Sequence, residues 1–130
     1  MYLAILACDL KEISFALLEN GCVCASKSVF VSPETYLQAL EATLLEWGVV
    51  ADALNGVIVV VGSGSFTSNR TGATIANAIA FTREIPVFTI ENFDHKPLVE
   101  LLEGFVPSAE TAVSFVYPVY DRPANITHPK

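Results

Sequence analysis

Residues 57–61 read Val-Ile-Val-Val-Val, and the chain turns at once on Gly62-Ser63-Gly64. Five β-branched residues in a row carry no polar alternation, so a strand here is buried on both faces. A strand covered on both sides needs helices packed on a sheet with parallel members. The glycines stop the strand, and the small-residue stretch after them reads as a helix over about 67–83. The rest of the chain has to fit around this strand–turn–helix unit.

Upstream, residues 2–8 form a solid apolar run and residues 13–18 a second one. Asn20-Gly21 is a hairpin turn signal, and residues 22–31 continue as a third strand of β-branched and small residues. These three make an antiparallel meander. Ser32-Pro33-Glu34 then opens a helix, with Ser32 as cap, Pro33 in the first helical position and Glu34 in the first turn. Leu37, Leu40, Leu44 and Trp47 lie on it as one apolar stripe, and Gly48 ends it. Downstream of the central unit, residues 85–90, which include Pro86, read as a strand near a sheet edge. Residues 94–103 read as a short third helix and 112–116 as one more strand. The order β-β-β-α-β-α-β is that of an RNase H-like or actin-like ATPase half-domain. Right-handed crossovers then give a five-stranded mixed α/β sheet in the order 3-2-1-4-5. The expected division is a single lobe over 1–116 and a Pro-rich tail over 117–130.

Composition removes several function classes. Hydrophobic residues are 52% of the 130 and charged ones 16%, which suits one domain with a real core. Seven Lys and Arg against fourteen Asp and Glu give a net charge of −7, a poor basis for binding nucleic acid alone. The apolar N-terminus is short and has no basic flank, so no signal peptide is expected, and no run is long enough to cross a membrane. Cys8, Cys22 and Cys24 show no metal spacing; as buried free thiols, with Cys22 and Cys24 on one face, they fit a reduced cytoplasm.

The glycine turn fails two phosphate-binding patterns. No Lys follows its last glycine, as a P-loop needs, and Thr67 stands where a dinucleotide fingerprint needs glycine. Backbone N–H groups at the start of the helix remain able to cradle an anion. The alternative is that Gly62 and Gly64 only permit the turn while Ser65 or Thr67 caps the helix. Asp9, at the end of the first strand, is likewise open between two roles. It holds a metal and nucleotide as strand-end carboxylates of actin-like folds do, or it starts the turn into the second strand. Asp94-His95 reads as a solvated helix start, His128 sits in the tail, and no set of metal ligands is evident.

The residues from Gly62 to the Ile85-Pro86 strand resemble the TsaB (YeaZ) family, whose pattern runs Gly-x-Gly-Pro-Gly-Ser-Phe-Thr-Gly-Leu-Arg-x-Gly. Gly62, Gly64, Ser65, Phe66, Thr67, Arg70 and Gly72 match it, while Ser63, Ser68 and Asn69 replace its Pro, Gly and Leu. The second strand and its turn are similar too, and Tyr117-Pro118-Val119-Tyr120-Asp121-Arg122-Pro123 resembles the family's closing Pro-x-Tyr-x-Arg element. The departures are specific. Ala7 takes the place of the family's strand-end Asp, with Asp9 two residues on, and Ser32 replaces a His before the first helix. Only residues 93–116 stand where the family carries a second lobe, so a reduced, single-lobe member is expected.

The resemblance implies a cytoplasmic, non-catalytic subunit with no cofactor. Its partner would be a TsaD-type catalytic protein of tRNA threonylcarbamoyladenosine modification, and it would meet tRNA only through that partner. Without a second lobe the glycine turn is architectural, and the isolated chain is expected neither to hydrolyse ATP nor to modify tRNA. The family's glycoprotease label finds no zinc-ligand His pair here. Partner contact, or a homodimer on the same surface, is expected through the two helices. Leu37, Glu41 and Leu45 would serve on the first, and Ala73, Asn77 and Phe81 on the second, with Ile75 and Ile79 turned to the sheet. A small nucleotide-binding protein or degenerate ATPase using Asp9, and a homodimeric structural protein, are the competing readings.

Overall fold

The computed structural model describes residues 1–62, 64–108, 112, 113 and 116. Strands β1 (Tyr2–Asp9), β2 (Glu12–Glu19) and β3 (Cys22–Val29) form the meander, followed by α1 (Tyr36–Trp47). Then come β4 (Gly56–Val61), α2 (Phe66–Arg83), β5 (Val87–Glu91) and α3 (Leu98–Leu102). The sheet order is β3-β2-β1-β4-β5, with β1–β2 and β2–β3 antiparallel and β1–β4 and β4–β5 parallel. This is the mixed α/β sheet, RNase H-like and actin-like in layout, that the sequence predicts.

Every residue of β4 is buried, because the sheet is layered on both sides there. Leu3, Ile5, Val57 and Val59 meet Tyr36 and Leu40 of α1 and Ala73, Ala76 and Ala80 of α2 on one face. Ala4, Leu6, Ile58 and Val60 meet Leu98 and Leu102 of α3 on the other. The Asn20-Gly21 turn has φ of 54° and 76°, the left-handed pair that a two-residue hairpin turn demands. Gly48 ends α1 at φ 69°.

Several boundaries differ from the sequence reading for local reasons. Pro33–Thr35 form a 3-10 turn, and the Ser32 hydroxyl bonds Glu34 Oε1 at 2.6 Å instead of capping the helix. That bond, with one to the backbone, holds the Glu34 carboxyl below its usual range. β5 starts two residues late because the Ile85 N–H closes α2 on the Ala80 carbonyl. The third helix shrinks to Leu98–Leu102. Asn92, 2% exposed, closes the loop before it: Oδ1 accepts the Lys96 N–H at 2.8 Å and Nδ2 donates to the Lys96 carbonyl at 2.9 Å. Pro97 then disfavours helix at the residue ahead of it.

The thiols are also corrected: Cys8 is half-buried and Cys22 and Cys24 are exposed. Both lie on β3, the outer strand, and Cys24 is the extra residue of a bulge, since Leu18 pairs with Val23 and Leu17 with Ala25. Exposure still alternates along β3, and both cysteines occupy its exposed positions. Of the expected strand over 112–116, Val113 makes an antiparallel bridge to Val87, with its N–H 2.8 Å from the Val87 carbonyl. The tail over 117–130, with its Tyr117–Arg122 motif and His128, lies outside the described residues, as does Ser63.

Candidate functional site

The glycine turn is bolted to the end of β1. The Ser65 N–H donates to the Cys8 carbonyl at 2.8 Å. Gly62 and Gly64 sit at φ 92° and 75°, a left-handed conformation that side chains rarely adopt. A Cβ on Gly64 would stand 2.1 Å from the Cys8 carbonyl oxygen. Ser65, not Thr67, caps α2: its Oγ accepts the Ser68 N–H at 3.2 Å. Its carbonyl accepts both the Asn69 N–H at 3.0 Å and Asn69 Nδ2 at 2.9 Å. Of the four amides at the start of α2 that lie outside its own ladder, those of Ser65 and Ser68 are thus bonded within the chain. Phe66, Thr67 and Arg70 are exposed along the first turns. Gly72 is buried, and a Cβ there would lie 2.7 Å from Ala7 Cβ. Gly64 and Gly72 thus serve close packing of the turn and helix on β1.

Asp9 takes the turn role. Its Oδ1 accepts the Lys11 N–H at 2.8 Å, which sets the tight reversal into β2. Its carbonyl accepts the Tyr36 hydroxyl at 2.7 Å. Among the described residues no group of three or more His, Cys, Asp and Glu could hold a metal. No helix among them is long and apolar enough to cross a membrane.

Sequence reasoning missed Tyr36, the largest fully buried side chain among the described residues. Its hydroxyl joins three elements, lying 2.7 Å from the Asp9 carbonyl and 3.1 Å from Ser68 Oγ on α2. The signal was a tyrosine in the first turn of an apolar-faced helix, because a buried phenol needs a partner for its O–H. Burial pushes this phenol's pKa above its ordinary value, against the Ser68 hydrogen bond, which pulls it down. Removing the hydroxyl in Tyr36→Phe is expected to cost about 1–2 kcal/mol in denaturant unfolding near neutral pH. The raised pKa also fixes a sign. The neutral phenol stabilises the fold fully below the unfolded pKa of about 10, and this contribution is lost as pH rises through the higher folded value. Between pH 9 and 11 the parent is therefore expected to lose stability faster than Tyr36→Phe; parallel slopes would contradict it.

The helical surface is partly as expected. Leu37, Leu45 and Phe81 are 52%, 82% and 87% exposed, and Glu41 is exposed beside them on α1. Two of the expected interface residues are corrected. Ala73 is 1% exposed and packs in the core with Ala76 and Ala80. Asn77 turns to the residues after α3: its Nδ2 donates to the Val116 carbonyl at 2.9 Å and its Oδ1 accepts the Val116 N–H at 2.7 Å. The helix is rotated because only small side chains fit between it and β1 at this spacing. Ile75 and Ile79, expected to face the sheet, are half-buried at the flanks of that alanine row.

No protein-family model matches the chain, and no curated protein matches it. Solved structures do. YeaZ from Pseudomonas aeruginosa superposes with a TM-score of 0.60 at 24% identity, covering 70% of this chain and 43% of that one. A second structure, described as an uncharacterized protein with similarity to peptidase YEAZ from Pseudomonas aeruginosa, gives the same values. RuvC of Thermus thermophilus gives 0.48 at 12% identity, over 69% of this chain and 63% of its own. The fold is thus TsaB/YeaZ-like, and the chain spans less than half the length of the YeaZ structures it resembles.

Proposed function

We propose that the chain is a non-catalytic, TsaB-like scaffold subunit of the cytoplasm. It docks a TsaD-type catalytic partner in tRNA threonylcarbamoyladenosine modification and reaches tRNA only through that partner. The observation that carries the reading is the exposure of Leu37, Leu45 and Phe81 on the two helices of a YeaZ-like lobe. Large apolar side chains left in water on packed helices are suited to anchor a protein interface.

The test is light scattering after gel filtration of the full chain with the TsaD-type protein of the same cell. A complex is expected, and Leu45→Arg or Phe81→Arg is expected to weaken it at least tenfold, as for an anchor worth about 2 kcal/mol. Both side chains are exposed, so the variants keep their circular dichroism and melting temperature. Failure to form a complex, or Arg variants that bind like the parent, would remove the scaffold reading.

A further inference from the structure

The parallel strands β1, β4 and β5 all end on one side of the molecule, at Asp9, Val61 and Glu91. The β1–β2 turn, the exit of β3 and the entry of α2 lie on the same side, because Asp9 pairs with Glu12, Ile13 with Val29, and Ser65 bonds Cys8. Each connection displays a large apolar side chain: Leu10 at 52% exposure, Phe30 at 80%, Phe66 at 44% and Phe93 at 43%. Three of the four exposed phenylalanines of the described chain are thus gathered at one end. The frame beneath them is fixed. Tyr36 ties the β1 end to α1 and α2, and Asn92 closes the loop bearing Phe93 while its N–H bonds the Val61 carbonyl at 2.9 Å. Gly62 makes room for the Phe93 ring, since a Cβ there would stand 2.8 Å from it.

The charge around these side chains is lopsided. The carboxylates of Asp9, Glu12, Glu34, Glu91 and Asp94 outnumber the cations of the same end, Lys11, Arg70 and Lys96. We propose that this end of the sheet is a second protein-docking surface, separate from the outer faces of α1 and α2. Its partner is a different protein that presents an apolar knob bordered by Lys and Arg. A second copy of the chain would bring like charge onto like charge, and a nucleic acid would meet the same excess of carboxylates. Side chains held by pinned loops lose little freedom on binding, which suits a preformed interface.

Two labelled peptides with the same Leu-Trp-Leu centre, one flanked by Lys and one by Glu, test this by fluorescence anisotropy on the full chain. The Lys-flanked peptide is expected to bind at least tenfold tighter and to weaken at least tenfold between 50 and 500 mM salt. Phe30→Ser and Phe93→Ser are expected to cut its affinity at least fivefold, while Phe81→Ser leaves it unchanged. Phe30 is 80% exposed, so its variant folds as the parent does. Equal binding of the two peptides, no binding, indifference to Phe30→Ser, or loss in Phe81→Ser would overturn the proposal. So would self-association in sedimentation that Phe30→Ser abolishes. Because Phe81 belongs to the helical surface, these outcomes are independent of the TsaD-type interaction.

Discussion

A Gly64→Ala chain is expected to lose about 3–5 kcal/mol of stability, enough to lower the melting temperature by about 10–20 °C. Two costs add. The residue sits at φ 75°, where a Cβ is strained by about 1–2 kcal/mol. That Cβ also meets the Cys8 carbonyl oxygen at 2.1 Å, and backbone on a central strand cannot swing aside as a long side chain does. Relief requires the turn to lift, which breaks the Ser65 N–H bond to Cys8 and detaches the cap of α2. Gly48→Ala supplies the control. It has nearly the same φ, 69°, and open space around the added methyl, so it should show only the conformational part. Thermal unfolding of the two variants side by side measures the clash directly. Equal losses would mean that the turn does not bear on β1.

The next largest effect is expected at Gly72. Valine there places its Cβ 2.7 Å from Ala7 Cβ, between α2 and the central strand. Alanine in place of glycine ordinarily strengthens a helix by about 1 kcal/mol. At this position even alanine is expected to destabilise, because helix and strand already touch, and valine is expected to cost about 3 kcal/mol. The partner in the clash is named, so a double-mutant cycle decides it. Ala7→Gly should recover a large part of the loss in Gly72→Ala, with a coupling of about 1–3 kcal/mol between the two sites. Independent, additive effects from chemical denaturation would show that the helix is not held at that distance by this pair.

These two glycines show how far the sequence could be read. While the cap of α2 stayed open between Ser65 and Thr67, the β-branched run of β4 and the Asn20-Gly21 hairpin were legible because each is fixed by local chemistry. The strand order followed from them through the handedness of crossovers. The likeness of the glycine stretch to the TsaB family pointed to the lobe that the structural comparison finds. What stayed hidden was set by distance between elements. The rotation of α2 depends on how closely it lies on β1, so the branched Ile75 and Ile79 looked like the buried pair when the alanines are. Cys22 and Cys24 read as interior strand residues, yet their burial depends on β3 being an edge. Asn77 read as surface, because its partner, the backbone of Val116, lies 39 residues away. Asp9 was left open between metal and turn, and its bond to the Lys11 N–H gives it the turn.

The attachment of Val116 to Asn77 carries a consequence for the order in which the molecule assembles. Asn77 presents a donor and an acceptor to one backbone residue, imitating a strand edge, and Val113 adds its bond to Val87. None of these partners exists as a surface until α2 has settled on the sheet and β5 has joined β4. The β1–β4 pairing on which that surface depends itself joins residues far apart, Leu3 with Val57. Closing on Asn77, across 39 residues, is therefore expected to follow that pairing, because the surface it closes on is built by it.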